Sequence, residues 1–233
     1  MKNRTVIIIA ENNSLITSLL NSDEAATRAQ LDFAAATLQK QDTRLGEIIE
    51  RVGRCELDFR QLHNPFNTLV RSIIYQQLNG KAASVIHART VANLATGRTL
   101  KPDDIFAASE ETMRACGLSR AKQLALRDLA LRTKDGTIPT LARLQRMTDE
   151  EIIERLTTVR GIGRWTVEML LMFRLGRPDV LPVGDFAICK AAMLMDGLES
   201  FPKPKDLTAR GEVWRPFRTV ASWYLWRSLD NSG

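Results

Sequence analysis

At 233 residues and 44% hydrophobic content, the chain can bury one sizeable core or two small lobes sharing a core, which excludes disorder as an overall description. Lys and Arg outnumber Asp and Glu by 33 to 27, a formal charge of +6 that suits a polyanionic partner without requiring one. Cys55, Cys116 and Cys189 lie far apart with no CxxC pair, so neither a disulfide framework nor a zinc or iron-sulfur cluster is indicated, and a reducing compartment is implied.

The apolar run Val6 to Ala10 is cut off by Glu11, short of the roughly 7 to 15 apolar residues of a signal-peptide core, and no stretch approaches the ~18 of a membrane span. The expectation is an intracellular protein with no membrane partner, cytoplasmic or at the nucleoid in a bacterium or archaeon and nuclear in a eukaryote. Residues 1–21 read as an extension of unassigned structure, and the pattern from Ser22 onward is helical.

Asn64 followed by Pro65 reads as an N-cap and first-turn proline, opening a helix whose Phe66, Leu69, Val70, Ile73 and Ile74 fall at helical spacing. Asn79-Gly80 is expected to close it. A small-residue helix from Lys81 through Ala82, Ala83, Val85 and Ile86 follows, which leaves Gln76, Gln77 and Leu78 at a tip between two helices. The plan recurs between Met113 and Ala130, where Cys116-Gly117-Leu118-Ser119 interrupts a helical pattern. It recurs again after the capping box of Thr148 and Glu151, with Ile152, Ile153, Leu156 and Val159 on one face. Gly161-Ile162-Gly163 ends that helix, and Arg164 to Arg174 begins another. Pro178 and Pro182 break the chain before Asp185 opens a helix carrying Ile188, Ala191, Ala192 and Leu194. These recurrences share a plan but not a sequence, so they form no solenoid, and the predicted fold class is all-α.

Two glycines two apart, at Gly161 and Gly163, permit a tight turn with bare backbone. The N–H groups of both, and of the first helical turn holding Arg164 and Thr166, can then face a phosphate with the positive end of a helix dipole behind them. The same pattern also fits an ordinary helical corner.

Thr158-Val159-Arg160-Gly161-Ile162-Gly163-Arg164-Trp165-Thr166, taken with Pro182-Val183-Gly184-Asp185, resembles the helix-hairpin-helix DNA glycosylase superfamily. Within it the chain is similar to the AlkA and MAG type 3-methyladenine DNA glycosylases. Trp214-Arg215-Pro216-Phe217-Arg218, Trp223-Tyr224-Leu225-Trp226 and Tyr75-Gln76-Gln77-Leu78 with Lys81-Ala82-Ala83 carry that likeness, over roughly residues 45 to 228. The resemblance implies two helical lobes within residues 22–233 with the active-site cleft between them. It implies a base-excision-repair enzyme that flips alkylated purines, 3-methyladenine and 7-methylguanine, out of double-stranded DNA and hydrolyses the N-glycosidic bond. It would act as a monomer with no required cofactor. A structural sodium or potassium ion is implied on the backbone carbonyls of Thr157, Val159 and Ile162, bridging the hairpin to a phosphate. By the same resemblance, the β lobe of the larger AlkA-type enzymes is expected to have no counterpart here.

In that frame Asp185 is the catalytic residue. Breaking an N-glycosidic bond builds positive charge on the sugar, and a carboxylate about 4 Å away offsets it by roughly 4 kcal/mol at an effective dielectric of ~20. Realised mainly in the transition state, that is on the order of a thousandfold in rate. An alkylated purine already carries positive charge and leaves neutral, so it needs little help. Asp185 also reads simply as the N-cap of the helix beginning at Phe186, and the two roles are compatible. Of the other nearby carboxylates, Asp179 is expected in a solvent-facing turn and Glu168 on the outer face of its helix.

Relatives resembling endonuclease III carry at position 165 a lysine that attacks the sugar and goes on to nick the strand. Trp165 cannot do so, and the closely spaced C-terminal cysteines of their cluster are missing, so base removal without lyase activity is implied. Trp165 and Trp226 match aromatic base-pocket positions, with Met169 one turn beyond Trp165; core packing is the competing role of all three. Leu78 is the candidate plug for the hole left by a flipped base, and Gln77 the candidate partner of the widowed base. Ser119, Arg120 and Lys122 stand on the second turn, where phosphate contact is expected. His63 and His87 lack metal-ligand spacing and read as structural. Two alternatives remain open: a helix-hairpin-helix module that binds DNA without chemistry, and a glycosylase for hypoxanthine, ethenoadenine or a mismatched base.

Overall fold

The computed structural model describes residues 24–59 and 64–230, so the extension at 1–21 and His63 lie outside the described residues. Every regular element among the described residues is a helix, as the periodicity predicts. The chain forms two compact units, Met1–Gln61 with Glu168–Gly233, and Leu62–Val167. Helices α1 (Glu24–Gln41) and α2 (Thr43–Val52) belong to the first. The second holds α3 (Pro65–Tyr75), α4 (Gly80–Leu94), α5 (Pro102–Ala107), α6 (Glu110–Ala115), α7 (Arg120–Lys134), α8 (Leu141–Leu144) and α9 (Asp149–Leu156). Helix α10 (Arg164–Phe173) has Arg164–Val167 in the second unit and Glu168–Phe173 in the first. The first unit is completed by α11 (Phe186–Asp196), α12 (Pro204–Arg210), a 3-10 turn at Gly211–Trp214 and α13 (Arg218–Asp230).

In the second unit α7 packs against both α3 and α5. Asn64 caps α3 by accepting from Asn67 N at 3.1 Å, Pro65 takes the first helical position, and Phe66, Leu69, Val70, Ile73 and Ile74 form its buried face. The end of this helix departs from the sequence reading. It stops at Tyr75, and Gln77 takes a left-handed backbone, φ 57°, where Asn79-Gly80 was expected to make the turn. Asn79 instead caps α4, its side chain accepting from Ala82 N at 2.8 Å, which makes Gly80 the first residue of that helix. The physical reason is that a helix start has orphan N–H groups for an Asn side chain to satisfy, and a helix end does not. Ser119 caps α7 after the Cys116 to Ser119 turn. The capping box of α9 is reciprocal: Thr148 N donates to the Glu151 carboxylate at 2.7 Å and Glu151 N to Thr148 Oγ1 at 3.3 Å.

In the first unit α13 is buried around most of its circumference, from Thr219 through Leu225, as a central helix must be. It packs against α2 and α11, and the core includes Leu38, Leu45, Ile188, Trp214, Tyr224 and Leu225. Leu194, read in the sequence together with Ile188, Ala191 and Ala192, is 56% exposed, whereas those three are buried. Asp42, itself buried, caps α2 through Arg44 N and Leu45 N, accepts the Trp214 indole N–H at 2.7 Å and pairs with Arg210 at 2.6 Å.

Candidate active site

The turn after α9 is pinned by its apolar residues. Val159 and Ile162 are buried, and the backbone closes through Val159 N to Leu156 O (3.2 Å) and Ile162 N to Val159 O (3.0 Å). Gly161 carries the positive φ, 78°, with the Ala125 methyl 3.4 Å from where a Cβ would stand. Gly163 has open space at that place. The α10 ladder begins at Val167 N to Gly163 O, 3.3 Å, which sets the amides of Arg164, Trp165 and Thr166 at the positive end of the helix. The Thr166 side chain is buried, so a phosphate role there falls to its backbone. The Arg164 guanidinium pairs with Glu150 through two contacts at 3.0 and 3.2 Å.

In the same unit the tip is tied to this turn. Gln76 Nε2 donates to Gly161 O at 2.7 Å. Lys122 Nζ donates to Ile74 O and, at 3.0 Å, to Gln76 O, and burial lowers the pKa of this ammonium. Two of its three N–H donors are therefore used inside the protein, where phosphate contact was expected. Gln77 and Leu78 are exposed, as a plug and its neighbour require. Ser119 is exposed, and its Oγ accepts from Lys122 N at 3.4 Å. His87 packs edge-on against Tyr75, and burial, then the Arg71 charge, lower its pKa.

In the first unit the loop before Asp185 is held by α13. Thr219 Oγ1 donates to Arg177 O at 2.6 Å and accepts from Val180 N at 3.1 Å, while Thr219 N donates to Pro178 O at 2.9 Å. Asp179 pairs with Arg215 and, at 2.7 Å, with Arg218, so it is an anchor of this loop and not the solvent-facing residue expected. Leu181 packs so closely on Gly211 that a Cβ there would fall 2.3 Å from its Cδ2. The loop ends in a turn, Asp185 N to Pro182 O at 2.9 Å. Asp185 then caps α11: its Oδ1 accepts from Ile188 N at 2.9 Å and also from the Trp226 indole N–H at 3.0 Å. Burial first, and then the Asp185 charge, raise the pKa of the neighbouring Cys189 thiol.

Trp226 stacks on Phe173, centroids 6.0 Å apart at 24°, and both line a cavity of about 550 Å³. Its other walls are Leu57 and Trp223, with Glu56, Asp58, Asp230, Arg174 and Arg227 supplying charge. That volume lies within the roughly 300 to 1,000 Å³ of small-molecule sites. Asp185 is thus one hydrogen bond from the aromatic wall. Met169 is half-buried and is not a lining residue, and Trp165, on the α10 turn of the other unit, is 49% exposed. Glu168, expected on the outer face of α10, is buried instead at 4% exposure, because Val167, Leu170, Leu171 and Met172 bury that helix on most sides. The sequence pattern singles out neither Phe173 nor Thr219, and it places Gln76 at the tip without its bond to Gly161. Phe173 falls within the helix read from Arg164 to Arg174, but nothing local shows that it stacks on Trp226.

A glycine turn that presents the N-terminus of a helix offers bare amides to an anion. The chain belongs to the HhH-GPD superfamily of base excision DNA repair proteins, whose pattern matches residues 70–216. It is 42% identical over 164 residues to DNA-3-methyladenine glycosylase 1 of Schizosaccharomyces pombe, covering 70% of this chain and 72% of that protein. Its fold is similar to the solved 3-methyladenine DNA glycosylase Mag1 of S. pombe in complex with abasic DNA, with TM-score 0.70, 38% identity and coverage of 83% of this chain and 94% of that one. It is also similar to the DNA-3-methyladenine glycosidase of Bacillus halodurans, with TM-score 0.75, 36% identity and coverage of 85% and 89%. No helix among the described residues is long and apolar enough to cross a membrane.

Proposed function

We propose that the protein is a monofunctional DNA glycosylase that excises alkylated purines, 3-methyladenine and 7-methylguanine, from duplex DNA. The observation that carries this reading is the Asp185 carboxylate, fixed by Ile188 N–H and by the indole N–H of Trp226, a residue that lines the cavity. The names of the relatives supply the lesion class.

The flipped base stacks on indole and phenyl faces at Trp226 and Phe173, which favours an electron-poor cationic purine. As the N-glycosidic bond lengthens, its electrons stay with the purine and the sugar becomes cationic. The aimed carboxylate answers that charge, and water adds to the sugar carbon, its surplus proton passing to solvent. Gly161, Gly163 and the first turn of α10 grip a phosphate, and Leu78 fills the vacated stack with Gln77 beside it. The backbone carbonyls of Thr157, Val159 and Ile162 are neutral oxygen donors that would hold a sodium or potassium ion, Val159 O through the lone pair left beside its bond from Ile162 N, and the ion would supply positive charge for a phosphate. Base removal leaves the strand intact, because Trp165 offers no amine to attack the sugar.

The test is to incubate the protein with methylated duplex DNA and chromatograph the released bases. Free 3-methyladenine and 7-methylguanine are expected, with strand breaks only after heat or alkali. Asp185→Asn is expected to lose excision by about a thousandfold while keeping affinity for abasic-site duplex. Binding without release would make the protein a DNA-binding module. Release of hypoxanthine or ethenoadenine alone would change the lesion, and an active Asp185→Asn would remove that residue from the mechanism.

A further inference from the structure

Lys122 and Gln76 take no part in breaking the bond, yet both are committed to the tip. Helix α3 ends at Tyr75, so the carbonyls of Ile74 and Gln76 stand at its negative end, and the Lys122 ammonium, from the first turn of α7, covers both. The next residue, Gln77, holds φ 57°, the one non-glycine residue among those described with a positive φ. Such a backbone persists only where its surroundings hold it. Two bonds fix the residue just before it: the Gln76 carbonyl accepts from Lys122, and the Gln76 side chain donates at 2.7 Å to the carbonyl of Gly161, in the glycine turn.

We infer that Lys122 and Gln76 are positioning residues that lock the Leu78 plug to the hairpin, so that gripping the phosphate and filling the base stack occur as one rigid act. Lys122 therefore serves the plug and is not a phosphate ligand. The inference rests on the reading of Leu78 as a plug.

The experiment compares wild type with Lys122→Met, Lys122→Arg, Gln76→Leu and Leu78→Ala. Single-turnover release of 7-methylguanine is measured from duplex and from single strands of the same sequence, since only duplex needs a plug. The salt dependence of binding to abasic-site duplex is measured alongside. Lys122→Met and Gln76→Leu are each expected to lower the duplex-to-single-strand rate ratio by about tenfold, the size of one lost hydrogen bond at a charged or strained site. Lys122→Arg is expected to recover most of that ratio, and the salt slope of Lys122→Met to match wild type. A slope reduced by about 0.9 with the ratio intact would make Lys122 a phosphate ligand and overturn the inference. An unchanged ratio in Gln76→Leu would overturn it too, and that variant decides the matter if Lys122→Met does not fold. If Leu78→Ala lowers the ratio and neither of the others does, the coupling fails and the plug stands. If Leu78→Ala leaves the ratio unchanged, the plug itself fails.

Discussion

One oxygen of Asp185 accepts two hydrogen bonds, from Ile188 N and from the Trp226 indole, and the pair fixes where the carboxylate points. The capping bond is local and the indole bond is tertiary, so they can be separated experimentally. Trp226→Phe keeps an aromatic face on Phe173 but deletes the N–H. Excision is expected to slow by about tenfold in single turnover, with base binding reduced much less, because a hydrogen bond to a charged group is worth roughly 1.5 to 3 kcal/mol. A loss below twofold would show that the cap alone aims the carboxylate. Asp185 as a cap was legible in the sequence, and Trp226 was singled out by the resemblance. The bond between them was not, because it joins positions 41 residues apart that only packing brings together. Glu168 was misread for a related reason: a helix buried on most sides has no polar face for periodicity to find.

At the scale of the element, the two glycines of the hairpin do different work. Gly161 needs its left-handed backbone, whereas Gly163 needs only to stay bare. Gly161→Ala is expected to cost about 1 to 2 kcal/mol of stability from backbone strain. Gly163→Ala is expected to change stability by less than about 0.5 kcal/mol and yet weaken binding to abasic-site duplex. Thermal unfolding and DNA titration of both variants check this, and the reverse pattern would exchange the two roles. Helix starts were the most readable features of the sequence. Asn64, Thr148 and Asp185 each cap the helix assigned to them, because a cap is a short-range bond between a side chain and an amide a few residues on. The end of α3 was not readable: Gln77 turns left-handed in the company of Lys122 and Gly161 contacts, which no local pattern announces.

For the whole molecule, Asp42 is a buried carboxylate that joins α2, α12 and the 3-10 turn within the first unit. Burial alone would raise its pKa, but the bonds from Arg210, Trp214 and Leu45 outweigh that, so its pKa lies below the ordinary value. A lowered carboxylate contributes stability that is fully present above its unfolded pKa of ~3.9 and is lost as pH falls from there through the folded value. Thermal unfolding of wild type is therefore expected to decline below about pH 4, and Asp42→Asn to show a shallower decline in that window. At neutral pH the same variant is expected to be less stable by about 3 kcal/mol, since of its two carboxylate partners Arg210 keeps only Asp196, beside the Trp214 ring. A parallel pH profile in the variant would assign the acid loss to other carboxylates. The phosphate turn and the tip belong to Leu62–Val167, whereas the carboxylate, its indole partner and the aromatic cavity belong to the other unit. In the proposed reading, gripping the backbone and releasing the base are thus written in different stretches of the chain. A single codon change within Glu168–Gly233 could turn a descendant of this enzyme into a silent occupant of damaged sites, shielding a lesion it no longer removes.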